Sequence, residues 1–353
     1  MIEKYRYKKE PRNLTVYQEK IQLAKRELGR SVVRVNEKIM EDEVSPVFYG
    51  VKETHTIPDV FLDRLEQEPG YVQLTVDKAS DRGRAIDTDL INPVTYRVMT
   101  GSSSGGPINI LKGINDIAIG SDGGGSVLAP AISCQLPSIM GAGLGMQVSQ
   151  TKTSTDGISF RGSVGVIGKY ISHLQETIEL MLEEKLPDSL PSTLKIAIPK
   201  KGSVIRPDGI DMHTLVKKYL FLLTDIDFDI VEVDLSGADD RKIALEKMRA
   251  CFQEADLILT CEGPVDVYGY GETIPMMFGQ AGKDITQNHG KYLIRAANMK
   301  RATAVSFPID ELASSLVVFA PEGKYQGALA IQLASHLERV IQLPDVWERY
   351  FLK

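Results

Sequence analysis

Residues 100 to 166 constrain the fold more than any other part of the chain. This stretch is rich in Gly and Ser, most densely at 101–106 and 120–126. Glycines in such loops allow positive φ angles or close approach of backbone segments. The segments beside the loops, 114–119 and 127–139, are apolar, which a solvated linker is not. The pattern therefore predicts that this stretch forms the buried centre of the fold.

The rest of the chain alternates strand-like apolar segments with helix-like segments, a pattern typical of α/β proteins. Strands are predicted at 46–51, 71–76, 194–198, 229–235, 256–260, 303–307 and 315–320. Helices are predicted at 15–40, 58–66, 211–224, 240–254, 290–301 and 326–341. We find no internal repeat, so we expect one α/β domain over residues 1–353, with a mixed β-sheet covered by α-helices.

The composition is that of an ordinary globular protein. Of 353 residues, 43% are hydrophobic, and 41 Lys and Arg stand against 47 Asp and Glu, for a formal net charge of −6. This balance favours neither a nucleic-acid partner nor a disordered chain. The three cysteines match no zinc or redox spacing, and the five histidines form no H-E-x-x-H motif. We therefore expect no metal site and no disulfide scaffold.

The N-terminal residues argue against export. The first ten residues carry charges where a signal peptide needs an apolar core, and no window of about 18 apolar residues follows. We expect a cytoplasmic protein without a membrane partner, in which the cysteines stay reduced.

Two serine-bearing glycine loops and Lys52, which directly follows a strand-like segment, indicate a hydrolase site built from Ser and Lys. A serine hydroxyl is a poor nucleophile until a base removes its proton. A lysine can do so only when it is neutral, which requires burial to lower its pKa from about 10.4. Neither loop matches a phosphate-binding motif: 101–106 lacks the lysine of G-x-x-x-x-G-K-[ST], and 120–126 does not spell G-x-G-x-x-G.

Three motifs resemble those of a known family. The sequence G-S-S-S-G-G at 101–106, preceded by Asn-Pro at 92–93, resembles a G-G-S-S-G-G loop. The sequence A-I-G-S-D-G-G-G-S-V at 118–127, followed by Cys134, resembles an L-G-T-D-x-G-G-S-I-R core. The sequence Y-G-V-K-E at 49–53 resembles a G-V-K-D segment. Because the order and spacing agree as well, the chain resembles the amidase signature hydrolases.

This resemblance implies a catalytic triad. Ser126 would be the nucleophile and Lys52 the base, and Ser103 would be a bridging serine that relays the proton between them. A cis peptide bond after Ser102 would hold the bridging serine. Ser102 and Ser104 would support the loop. The reaction needs no cofactor.

The second glycine loop would also stabilise the transition state. The backbone N–H groups of Gly123, Gly124 and Gly125 can converge on the carbonyl oxygen as it becomes an oxyanion, since no side chain blocks the approach. Asp122 would support this loop, which ends at Ser126.

The resemblance also divides the chain by role. Residues 45–180 would form the signature core with the catalytic loops, and residues 190–353 a C-terminal α/β part with substrate contacts. The chain is shorter than most members, so we expect a small-molecule amide that releases ammonia or an amine. We also expect a homodimer. Two departures stand out: Leu128 replaces the usual arginine, and S-I-M-G-A at 138–142 replaces G-L-K-P-T.

The sequence alone leaves three alternatives open. Residues 101–105 also satisfy G-x-S-x-G, the nucleophile elbow of serine esterases, with Ser103 as nucleophile and His289 or His336 as base. The chain could instead be the amidase component of a transamidation complex, which works only with partners. It could also be a non-catalytic, amidase-like binding protein.

Overall fold

The computed structural model of the chain describes residues 14–37, 46–153, 157–224 and 226–352. The strands are β1 (Val32–Val35), β2 (Val47–Lys52), β3 (Tyr71–Asp77), β4 (Ile86–Ile91), β5 (Val98–Thr100), β6 (Ile117–Asp122), β7 (Ser138–Gly141), β8 (Gln147–Thr153), β9 (Ser159–Gly168), β10 (Leu194–Pro199), β11 (Phe228–Val233), β12 (Leu257–Glu262), β13 (Thr303–Pro308) and β14 (Ser315–Ala320).

The helices are α1 (Leu14–Arg26), α2 (Asp59–Gln67), α3 (Gly105–Leu111), α4 (Leu128–Ser133), α5 (Ile171–Leu182), α6 (Met212–Leu220), α7 (Arg241–Glu254), α8 (Thr273–Met276), α9 (Gly279–Thr286), α10 (Lys324–Val340) and α11 (Asp345–Trp347). Side-chain caps begin two of the longer ones. Asp211 accepts a hydrogen bond from the N–H of His213 at the start of α6, and Asp240 accepts two at the start of α7.

One large mixed sheet runs through the described part of the molecule. Its strand order is β1-β3-β2-β6-β9-β7-β13-β14-β12-β10-β11, with β8 also paired to β9. The pairs β2–β3, β2–β6, β10–β11 and β10–β12 are parallel, and the other pairs of this sheet are antiparallel. Strands β4 and β5 form a separate antiparallel pair. The predicted mixed sheet covered by helices is confirmed.

The centre of the sheet is buried on both faces. Every residue of β7, β12, β13 and β14 is buried, which explains why these segments read as continuous apolar runs rather than alternating ones. Helix α10 packs on β13 and β14, and α5 packs on β7 and β9. None of the described helices has the length and apolar character needed to span a bilayer.

Two predicted helices are wrong. The helix predicted over 15–40 ends at Arg26, because Gly29 turns the chain with a φ of +75° and the β-branched segment after it pairs with β3 as β1; residues 38–40 lie outside the described part. The helix predicted over 290–301 is only one 3₁₀ turn, Leu293–Arg295. There the carboxylate of Glu262 binds the N–H groups that would open a helix, and Tyr292 has a non-helical backbone.

The parallel pairing of β2 with β6 positions the site. Parallel neighbours end at the same edge of a sheet, so the last residue of β2, Lys52, and the last residue of β6, Asp122, lie close to each other. The loop between β5 and α3 reaches the same edge. We call residues 101–104 the first serine loop and residues 123–127 the second serine loop.

Candidate active site

Lys52 is buried at the end of β2, with 7% of its surface exposed. Its Nζ lies 2.6 Å from the Oγ of Ser102 and 3.2 Å from both the carbonyl oxygen and the Oγ of Ser121. Burial lowers the pKa of Lys52 to about 7; the Asp122 carboxylate opposes this shift, and the Lys152 ammonium adds to it. A substantial fraction of this lysine is therefore neutral near pH 7.

The first serine loop differs from the prediction in which serine meets the lysine. The cis peptide bond lies between Gly101 and Ser102, not after Ser102, and the hydroxyl at hydrogen-bond distance from Lys52 belongs to Ser102. Gly101 is required here, because a Cβ would lie 2.3 Å from the carbonyl oxygen of Arg84. The relay position predicted for Ser103 is thus occupied by its neighbour.

Ser103 and Ser104 point elsewhere. The buried Oγ of Ser103 has no hydrogen-bond partner within the described part of the chain, and Ser103 is not among the residues that line the large cavity beside Lys52. The Ser104 hydroxyl donates to the Asp87 carboxylate at 2.5 Å, and that carboxylate pairs with Lys78 at 2.8 Å. Ser104 therefore anchors the far end of the first serine loop.

Asp122 organises the second serine loop from below. Its carboxylate accepts hydrogen bonds from the backbone N–H groups of Gly125 at 2.7 Å and Val127 at 2.6 Å. Burial raises the pKa of Asp122, and these N–H groups and the Lys52 ammonium oppose that rise. Because Asp122 binds the N–H of Gly125, the predicted oxyanion role of Gly125 is wrong.

The remaining N–H groups of the second serine loop stay available. Those of Gly123, Gly124 and Ser126 have no acceptor among the described residues. A Cβ at Gly123 would lie 2.6 Å from the ring of Phe160, so this position requires glycine. The half-buried Ser126 accepts a backbone hydrogen bond from Ser103 at 3.2 Å, which ties the two loops together.

One cavity of about 870 Å³ brings these groups together. Lys52, Ser102 and Ser126 line it, together with Gly123, Gly124 and Gly125. Sequence reasoning missed its opposite wall, which includes Arg241, residues 271–274, Lys291 and Arg295. These residues lie 115 or more positions after Ser126 in chain order, and they belong to ordinary α/β segments without a motif, so no local signal identifies them.

Solved structures of known enzymes share this architecture. The chain matches a 6-aminohexanoate cyclic dimer hydrolase at 12% identity with a TM-score of 0.67, covering 94% of this chain and 95% of that one. It matches an amidase at 13% and 0.60, covering 93% and 96%. It matches a glutamyl-tRNA(Gln) amidotransferase component from Thermotoga maritima at 14% and 0.61, covering 92% and 91%. No family model and no curated protein sequence matches the chain.

The chain has the fold of the amidase signature enzymes. At such low identities the likeness establishes the fold alone, and it confirms the resemblance drawn from the three motifs at that level. The activity has to be argued from the site.

The departures from the amidase signature motifs are absorbed by the core. Leu128, at the position of the usual arginine, is fully buried at the start of α4 within the main hydrophobic core. Ser138, which opens the divergent segment 138–142, lies in β7 and shares a hydrogen bond of 2.6 Å with Ser306 in β13. Neither departure interrupts the contact between Lys52 and Ser102.

The histidine-based alternative finds no support in the geometry. Ser103, its nucleophile, is 4% exposed. His289 lines a neighbouring cavity of about 1000 Å³ and not the one that contains Ser126. Burial, together with the positive charges of Arg295 and Lys291, holds the pKa of His289 well below its ordinary value. His336 lies on α10. Across the described ranges, no group of three His, Cys, Asp or Glu side chains could hold a metal ion.

Proposed function

We propose that the protein hydrolyses amide bonds other than peptide bonds, with Ser126 as nucleophile, Ser102 as proton relay and Lys52 as base. One observation carries this proposal. The buried Nζ of Lys52 lies 2.6 Å from the Oγ of Ser102, in the cavity that Ser126 lines. A buried lysine with a lowered pKa beside a serine is the arrangement that Ser-Lys hydrolysis needs.

The hydrogen bonds of Lys52 fit a neutral amine. Such an amine has two N–H donors and one lone pair. The carbonyl and hydroxyl oxygens of Ser121, both 3.2 Å away, accept the two donors, and the lone pair accepts the hydrogen of the Ser102 hydroxyl at 2.6 Å. This arrangement leaves the Ser102 oxygen able to accept a proton from Ser126.

Acylation then proceeds in balanced steps. The Ser126 oxygen attacks the amide carbon as its proton passes through Ser102 to Lys52, forming a tetrahedral intermediate. The proton returns through Ser102 to the leaving nitrogen, the C–N bond breaks, and ammonia or an amine departs. Water then attacks the acyl-enzyme through the same relay, releasing the carboxylic acid.

The oxyanion of the intermediate would be stabilised by the second serine loop. The N–H groups of Gly123, Gly124 and Ser126 are the available donors there. Loss of one oxyanion donor typically raises the barrier by about 2.7–4 kcal/mol in serine hydrolases. We assign no part of this role to Gly125, whose N–H binds Asp122 at 2.7 Å.

The substrate we propose is a small-molecule amide. The cavity of about 870 Å³ falls within the range of about 300–1,000 Å³ typical of small-molecule sites. The purified chain should release ammonia or amine from at least one member of a panel of aliphatic, aryl and peptidyl amides, and Ser126→Ala should not. Turnover that needs a partner protein would favour the role in a transamidation complex. Ligand binding without any turnover would favour the non-catalytic protein.

A further inference from the structure

A second, much smaller cavity adjoins Lys52. Its volume is about 10 Å³, and Asp77, Ser103, Gly106 and Gly120 are among the residues that line it. A polar cavity of this size holds one water molecule when at least two polar groups face it. The large cavity with Ser126 shares Lys52 with it but neither Asp77 nor Ser103.

Two buried polar atoms in this small cavity lack a protein partner. Asp77 is 2% exposed and Ser103 is 4% exposed. The Oδ2 of Asp77 and the Oγ of Ser103 form no hydrogen bond with any described residue. A buried polar group without a partner is destabilising, and native proteins commonly satisfy such groups with internal water.

Asp77 cannot turn to satisfy its second oxygen. Its Oδ1 accepts hydrogen bonds from Thr75 at 2.6 Å, Asn109 at 2.7 Å and Asn115 at 3.4 Å, so rotation would break this network. Burial raises the pKa of Asp77 to about 6, against these donors. When Asp77 is ionised, Oδ2 needs a donor, and when it is protonated the O–H needs an acceptor. Water can serve as either.

Three glycines keep the space around these atoms open. A Cβ at Gly120 would lie 2.6 Å from the Oγ of Ser103, and a Cβ at Gly50 would lie 2.2 Å from the Oδ2 of Asp77. At Gly106 a Cβ would lie 2.7 Å from the side chain of Ala118 and 3.4 Å from the same Oδ2. The backbone thus leaves room where the two polar atoms need a ligand.

We propose that one buried water molecule occupies this cavity, hydrogen-bonded to the Oδ2 of Asp77 and the Oγ of Ser103, and that it makes both residues positioning residues for the active site. Ser103 directly follows Ser102, and its N–H donates to the carbonyl oxygen of Ser126 at 3.2 Å. The link from Asp77 through water to Ser103 therefore fixes the turn that presents Ser102 to Lys52. The water site stands without the proposed function, whereas the positioning role rests on it.

A high-resolution crystal structure of the wild-type protein tests the water directly. We expect a density peak within hydrogen-bond distance of both the Oδ2 of Asp77 and the Oγ of Ser103. A well-ordered cavity without that peak would overturn the proposal, whatever the protein is found to catalyse.

Covalent labelling of Ser126 by a fluorophosphonate tests the positioning role. We expect Ser103→Ala to slow labelling about tenfold, since small displacements of catalytic groups slow reactions by such factors. Ser315→Ala is the matched control, because its buried Oγ in β14 also lacks a described partner but lines neither the small cavity nor the two large ones. Equal labelling rates for the two variants would overturn the positioning role.

Substitutions at Asp77 give an independent measurement. Asp77→Asn retains a polar atom toward the water and should keep most of the labelling rate, whereas Asp77→Leu should lose it. Loss of labelling in a folded Asp77→Asn equal to that in Asp77→Leu would contradict the water link. If the wild-type protein itself is not labelled, the positioning role falls with the proposed function, and the crystallographic density alone decides the water site.

Discussion

The two serine loops lie side by side and carry the same residue types, yet they present opposite parts of their chains. In the first serine loop the side chains are buried, and the hydroxyls of Ser102 and Ser104 each have a specific partner, Lys52 and Asp87. In the second serine loop the backbone is the functional surface. Asp122 binds the N–H groups on one side, and Gly123 and Gly124 leave theirs toward the cavity.

This difference separates two requirements of amide hydrolysis. Proton transfer needs a hydroxyl held at one fixed distance from its base, which a buried and well-packed loop provides. Oxyanion stabilisation needs N–H groups that converge on open space, which a glycine loop with its support beneath provides. If the comparison holds, substitutions in the first loop should mainly impair proton transfer, and substitutions in the second should remove the nucleophile or the loop's shape.

The largest expected effect is at the end of the second serine loop. Ser126→Ala should abolish covalent labelling by a fluorophosphonate, because no other hydroxyl in the cavity lies beside the available N–H groups. Mass spectrometry of the labelled wild-type protein should place the adduct on Ser126. An adduct on Ser103 would break the comparison between the loops, since it would put the nucleophile in the buried one.

The next largest effect is expected at Lys52, which contacts the first serine loop through Ser102. With a pKa of about 7 for Lys52, the labelling rate of the wild-type protein should rise with pH through that value, because only the neutral amine accepts a proton. Lys52→Met should lose most of the rate along with this pH limb. Lys52→Arg should be no milder, since a guanidinium stays protonated at any usable pH.

Lys152 provides the matched test of this pH limb. Its positive charge lowers the pKa of Lys52, so Lys152→Met should shift the midpoint of the labelling profile to higher pH without removing it. A profile that keeps its midpoint in Lys152→Met and its limb in Lys52→Met would show that another group titrates.

The choice between adjacent serines sharpens the comparison within the first loop. Ser102→Ala should slow labelling about 10²–10⁴-fold, the usual contribution of a positioned proton-transfer group, and Ser103→Ala only about tenfold. Rates of acylation measured on both variants decide the order. If Ser103→Ala were the slower variant, the contact between Lys52 and Ser102 would not be the catalytic one.

The sequence predicted the larger parts of this site and missed the finer ones. Lys52 and Ser126 were identifiable because each stands in a motif with its own spacing. Ser102 was not, because three consecutive serines look alike in sequence, and only the folded path of the backbone decides which hydroxyl turns toward Lys52. The role of Gly125 was missed for a similar reason, since only the folded loop shows that Asp122 binds its N–H.

The fold shows the same limit. The strands followed from continuous apolar runs, which parallel or central pairing explains. The helix predicted over 15–40 failed where Gly29 takes a positive φ and the following residues find a partner strand. The cavity wall with Arg241 and Arg295 depends on contacts between distant segments, which no local pattern records.

A smaller effect is expected where Asp122 supports the second serine loop. Asp122→Ala should leave two buried N–H groups without an acceptor, at about 1–3 kcal/mol of unfolding free energy for each. Asp211→Ala is the matched control, because its carboxylate also accepts two backbone N–H groups, from Gly202 and His213, at a more accessible site. Urea unfolding should show the larger loss for Asp122→Ala. Equal losses would mean that the loop needs no support from below.

The smallest expected effect concerns the stability of the place where both loops meet, since Lys52 contacts Ser102 in the first serine loop and Ser121 just before the second. Burial lowers the pKa of Lys52 from 10.5 to about 7, so between these values the unfolded chain binds more protons than the folded one. The free energy of unfolding contributed by this residue should therefore rise with pH in that window, by at most about 1.4 kcal/mol per pH unit. Below the folded pKa both states are protonated, and the contribution stays constant at its least favourable value. Lys52→Met lacks this titration. The wild-type free energy minus that of Lys52→Met, from urea unfolding between about pH 7 and about pH 9, should accordingly climb with pH. Parallel curves would mean that Lys52 is not held neutral by burial, and the proton relay through the first serine loop would then have no base.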